Sequence, residues 1–259
     1  MKQSLALLFA LCFALPLSAQ EMHRAIIPNL IAQDTSNSRI SVTVEEGLTS
    51  SRRLRSGALR KARVTLHEGG EVSAANLRSL ADLGDGLAAQ RYVRLLLASD
   101  TLATASDLAY YSAIAVGTGR VWTLGTMVDA MRKLDPKTEP TLRVNRYIKT
   151  LYPHAWAGNT LALQAVVAFN GEGRLFGPLS DTTRDRILDE ARKTGNGRVE
   201  LGMAVGLLER TRATDLPDPV ILDQARDLLQ LAQASQHLAV STSAQNLLRL
   251  MDLAQADEN

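Results

Sequence analysis

The sequence predicts an all-α fold of about five stacked helical hairpins. Three observations carry that expectation. Aromatic residues are only 4% of the chain, while Ala and Leu are abundant, a composition that favours helices in close contact. Residues 117–125 read GTGRVWTLG and residues 195–202 read GNGRVELG, so one chain states nearly the same phrase twice. Weaker copies surround these two. Gly84-Asp85 leads to Ala88, Gly117-Thr118 to Val121, Gly158-Asn159 to Ala162 and Gly195-Asn196 to Val199, with Ser235-Gln236 leading to Ala239 as a degenerate fifth copy. The anchors stand about 33 to 41 residues apart, the range in which a supersecondary unit repeats and stacks.

Residues 1–19 come off before any fold reasoning. Lys2, an apolar run from Leu5 to Leu15, Pro16 and the small Ala19 have the layout of a secretory signal peptide, too short in its core for a comfortable membrane span. Leu11 before Cys12 does not fit a lipoprotein signal. Cys12 is the only cysteine of the 259 residues, so a processed chain has neither a disulfide nor a thiolate site. The expected location is periplasmic or secreted, with no transmembrane segment in the mature chain. Residues 20–50 read as an extended leader, partly disordered or laid along the first helices. Within it RISVTVE (39–45) alternates like a strand but has no obvious partner.

Residues 51–259 form the expected helical domain. The segment 58–84 holds a first hairpin, with Leu59, Ala62 and Leu66 on one face, a break at Gly69-Gly70 and Ser73 as a new cap. After each anchor an apolar-periodic segment follows: Ala88 to Ala98, Val121 to Met131, Leu161 to Phe169 and Val199 to Leu208. Loops such as 134–140 and 170–178 come next, and then a second helical segment. Ser180-Asp181 opens the one ending at Lys193, and Asp218-Pro219 opens the last, with Asp as N-cap and Pro in the first turn. Each anchor glycine is expected to end the second helix in a left-handed conformation, which only Gly adopts cheaply.

Catalytic and metal motifs are not evident. His23, His67, His154 and His237 lack metal-ligand spacing. GEG at 171–173 and EGG at 68–70 follow no strand and read as loop glycines. Asp181 and Asp185 lie one turn apart on a solvated face. The expectation is therefore no catalytic, cofactor or metal site. A net charge of +2 gives no general reason to expect nucleic acid. The basic cluster Arg52, Arg53, Arg55, Arg60, Lys61 and Arg63 is either the solvated face of the first helix or a docking patch for an acidic partner or anionic lipid.

The segment ALRKARVTLHEGGEVSAANLRSLADLGDGLAAQ resembles the Sel-like repeat of the tetratricopeptide superfamily. SAIAVGTGRVWTLGTM and ARKTGNGRVELGMAVGLL carry the same features, a second helix ending in an Ala-rich turn, then Gly and a polar residue, then Leu-Gly. The likeness spans roughly residues 50–255. Residues 134–158 depart most, with Tyr152-Pro153-His154-Ala155-Trp156 in place of the Ala-rich turn. The resemblance implies a right-handed α/α superhelix (a solenoid) whose first helices line a concave face. It also implies an exported adaptor or regulator with a protein or peptide partner in the cell envelope, acting in envelope signalling or polysaccharide regulation. On that face Arg91, Tyr92, Trp122, Thr126 and Gln164 are the candidate binding residues. Trp122 occupies a slot that holds Ala89 and Glu200 in sister copies, so it is either a solvent-facing anchor or a core residue shifted in register. Two rival readings are an enzyme on an α/α scaffold acting on envelope polysaccharide, and a purely structural envelope component.

Overall fold

A computed structural model describes residues 40–99, 104–212 and 218–257. The signal-peptide reading of residues 1–19 and the first part of the leader lie outside the described residues. Within them the chain is all-helical, and the sole β feature is an isolated bridge between Thr43 and Thr118. The helices are α1 (Gly57–His67), α2 (Ala74–Asp82), α3 (Gly86–Leu97), α4 (Ala105–Gly117), α5 (Leu124–Met131), α6 (Thr141–Trp156), α7 (Thr160–Phe169), α8 (Asp181–Thr194), α9 (Arg198–Arg212), α10 (Pro219–Gln233) and α11 (Leu238–Asp257). Among the described residues no helix is long and apolar enough to cross a membrane.

The expected caps form. Ser73, Ser180 and Asp218 each accept a backbone N–H of the turn they open. Helices joined by the anchors pack closely: α2 on α3, α4 on α5, α6 on α7 and α10 on α11. The helices that come after the anchors are also neighbours in sequence order, α5 beside α7, α7 beside α9 and α9 beside α11. Two apolar cores result. One gathers Leu66, Leu80, Tyr92 and Leu96 at the N-terminal end, and the other runs from Leu124 and Met127 through Leu163 to Val240. Helix α4 serves both. Tyr111 and Ile114 face the first, and Ala109, Ala113 and Val116 face the second.

Four turns close by the same paired hydrogen bonds. Gly84 N donates to Ala81 O and Asp85 N to Leu80 O. Gly158 N donates to Ala155 O and Asn159 N to His154 O, and Gly69-Gly70 and Gly119-Arg120 repeat the pattern. This is the Schellman arrangement, with glycine in the left-handed region. It corrects one expectation: Gly117 is the last helical residue of α4, and the left-handed residue is Gly119, at φ 91°. The shift also reshapes the entry to the next helix, because Val121–Thr123 forms a 3₁₀ turn before α5 begins at Leu124. That turn accounts for the one-residue offset between Leu124-Gly125 and Leu201-Gly202. The fifth anchor is corrected too. Ser235 has no left-handed geometry. It instead accepts the His237 N–H through its hydroxyl oxygen and donates to Asn196 O at 2.6 Å.

Residues 40–50 are an extended strap across these turns, in reverse chain order. Ile40 lies at Gly158, Ser41 Oγ donates to Gly119 O, Val44 and Glu45 N both donate to Gly117 O, and Leu48 N donates to Gly84 O. The partner that the alternating segment lacked is thus a row of helix-end carbonyls, which a helix leaves without intrahelical donors. Arg146 and Lys149 of α6 hold Glu45 from the side.

Candidate functional site

The helices that come after the anchors carry two features of functional interest. The first is an exposed tryptophan. Trp122 sits in the 3₁₀ turn before α5 and is 66% exposed. It is nevertheless held in place. The amide orientation that satisfies its neighbours turns the Gln90 oxygen toward the Trp122 indole N–H and toward Arg94 Nη2. A large aromatic side chain is therefore presented to solvent with its ring N–H directed at Gln90.

The second is a cavity of about 480 Å³ between α7 and α9, closed by the 170–179 loop and the start of α8. Its walls include Val167, Leu179, Val199, Met203 and Leu207. Gly202 and Gly206, one turn apart on α9, leave the helix backbone bare along it. Four arginines, Arg174, Arg184, Arg198 and Arg210, also line it, against Glu172 and Glu209. Arg174 pairs with Glu209 and donates to Ala168 O, and Arg184 pairs with Asp181. Gln164 lines the cavity, is 5% exposed, and neither atom of its amide has a hydrogen-bond partner.

The five candidate residues do not share one surface. Trp122 is exposed and Thr126 half-buried, while Gln164 belongs to the cavity. Arg91 is half-buried and ties the loop before α2 to α3 through Gly70 O at 2.8 Å. Tyr92 is 7% exposed and packs edge-on against Tyr111, so it is part of the wall behind the face. The basic cluster divides as well. Arg63 is committed to Asp85, Ser51 and the Leu48 carbonyl, whereas Arg52, Arg53, Arg55, Arg60 and Lys61 are exposed. His67 completes the Asp85 contact at 2.9 Å.

Sequence reading did not find the cavity, although one signal pointed to it. Gln90 and Gln164 occupy the same slot, five residues beyond the caps Asp85 and Asn159. A buried glutamine recurring on a helix face calls for a partner each time. In the first unit Trp122 of the next element supplies it. In the second the corresponding residue is Glu200, which is buried away from the cavity, and burial pushes its carboxyl above the usual carboxylate range. Among the described residues no group of His, Cys, Asp and Glu could hold a metal ion. No family model matches the chain, and no curated protein or solved structure matches it.

Proposed function

We propose that this chain is a non-enzymatic interaction scaffold or regulator, exported to the periplasm or beyond the cell. In this reading its hairpins wind as a right-handed α/α superhelix of about five units, of the Sel-like kind. The partner is a protein or peptide of the cell envelope, and the process is envelope signalling or polysaccharide regulation. The observation that carries the reading is Trp122. A tryptophan 66% exposed whose ring N–H meets the Gln90 oxygen once that amide is turned to satisfy its neighbours is a partly preorganised anchor. Such aromatic side chains supply much of the energy of protein interfaces, and fixing one beforehand reduces the entropy lost on binding. The side-by-side order of α5, α7, α9 and α11 supports a continuous face across which a partner can lie.

The test is Trp122→Ala. Capture of the partner from a periplasmic extract is expected to weaken by roughly thirtyfold, the equivalent of about 2 kcal/mol. Folding stability is expected to change by about 0.5 kcal/mol or less, as for other exposed positions. Unchanged capture with intact folding would remove Trp122 as the anchor. A stability loss of several kcal/mol would place the side chain in the core.

A further inference from the structure

We infer that the cavity between α7 and α9 is a ligand site for a planar apolar group that carries an N–H donor and an anionic substituent, of the indole-carboxylate class. The inference stands apart from the Trp122 surface and does not rest on it.

The molecule itself shows what the glutamine in this slot takes. Gln90 accepts the indole N–H of Trp122, a flat apolar ring contributed by the next unit. Gln164 holds the equivalent position on α7, but its following unit contributes no ring. Both amide atoms of Gln164 are buried without a partner, and an unpaired buried amide is unfavourable because its hydration is lost and not replaced. Beside it lies an open volume of about 480 Å³, within the range typical of small-molecule pockets. The space is made by the sequence. A Cβ built on Gly206 would meet nothing within 4 Å, so an ordinary side chain there would occupy the cavity. Glycine is unfavourable in a helix interior, and here the bare backbone keeps a wall open.

The remaining lining sets the charge and polarity of the occupant. Val199, Met203 and Leu207 offer apolar surface to the faces of a ring. Arg174 and Arg184 are paired with Glu209 and Asp181, and Arg198 and Arg210 against Glu172 leave one positive charge in excess around it, which favours a carboxylate over a neutral or cationic substituent. The Gln164 NH₂ group, with two N–H donors, remains for the ligand's own oxygen. The same chemistry is offered by a free indole carboxylate and by a tryptophan at the C-terminus of a peptide.

Calorimetric titration of the full chain with indole-3-acetate tests this, with 1-methylindole-3-acetate lacking the donor and indole-3-acetamide lacking the charge. Binding of one equivalent is expected, weakened at least tenfold by N-methylation and at least tenfold by loss of the charge. In Gln164→Leu the preference for the N–H form is expected to vanish, while Tm is unchanged or raised because an unpaired amide has been removed. Gly206→Leu is expected to abolish binding with Tm maintained. An acetylated peptide ending in Trp with a free carboxylate identifies the source. Tighter binding than indole-3-acetate assigns the site to a chain end, and weaker binding assigns it to a free small molecule. Failure of both indole-3-acetate and the peptide to bind would overturn the inference. So would equal binding of the N-methylated form, or full binding by a folded Gly206→Leu variant.

Discussion

The turns at Gly84 and Gly195 have the same topological task and different chemistry. At Gly84 two backbone hydrogen bonds close the turn, Asp85 caps α3 at once, and the strap crosses above through Leu48 N. At Gly195 a single bond to Ala191 O closes the turn, and a second left-handed glycine, Gly197, comes before α9 begins. The described strap ends at Ile40, beside Gly158. Packing reflects the turns. Helix α2 lies closely on α3, whereas α8 touches α7 and α9 sparsely and buries fully only Ile187 and Ala191. Both turns span three residues, 83–85 and 195–197, but the second is closed by a single bond, and the cavity opens beside the sparsely packed α8. The lesson is that one repeated unit can be tightened into a rigid support or loosened into a site by how a turn of constant length is hydrogen-bonded.

The largest test of that contrast is on the tight side. A Cβ at Gly86 would run into the Thr118 side chain and Arg120 Nη1. Thr118 cannot easily give way, because its hydroxyl bonds the Ile114 and Ala115 carbonyls. Gly86→Val is therefore expected to cost about 3 kcal/mol, the upper part of the range for overpacking, read as a lowered denaturant midpoint. An unchanged midpoint would show that α3 and the α4 turn are not locked together.

On the loose side the effect is smaller. Gly195 has φ 61°, and nothing stands within 4 Å of a Cβ built there. Only backbone strain opposes substitution, so Gly195→Val is expected to cost about 1–2 kcal/mol. A loss as large as that of Gly86→Val would mean that the Gly195 turn is packed as tightly as its counterpart.

Much of this arrangement was legible in the sequence. The caps Ser73, Ser180 and Asp218, the break at Gly69-Gly70 and the helical content all come from local chemistry, which short segments carry on their own. What required tertiary contacts was not legible. GTG at 117–119 offers two glycines, and only the bond from Arg120 N to Ala115 O selects the second as left-handed. RISVTVE alternates as a strand does, but its partners are helix-end carbonyls far along the chain. Tyr92 reads as a face residue by position, yet Tyr111 covers it from the next helix. Gln164 is expected on the concave face by the family resemblance, and the structure puts it at the cavity. The cavity beside it depends on how α8 is splayed, which no local pattern records.

The smallest expected effect concerns the strap. Burial alone would raise the Glu45 pKa, but the hydrogen bond from Lys149 and the charge and hydrogen bond of Arg146 outweigh it and hold the carboxyl below its ordinary value. A depressed carboxyl contributes stability above its unfolded pKa, and that contribution is lost as pH falls through the folded pKa. Glu45→Gln is therefore expected to cost about 0.5–1 kcal/mol at pH 7, as for a partly exposed ion-pair cluster. The two proteins should converge as pH falls through the depressed folded pKa and the wild-type carboxyl is protonated. Between pH 7 and 5 both should weaken together, because His154 is buried beside the Ile40 and Val116 backbone and burial lowers its pKa. The unfolded chain then takes up the proton first, so stability falls as pH drops below about 6.5. Thermal melts across this range separate the two groups. A Glu45→Gln deficit that does not shrink as acidification protonates the carboxyl would show that shape, and not charge, holds the strap over the turns.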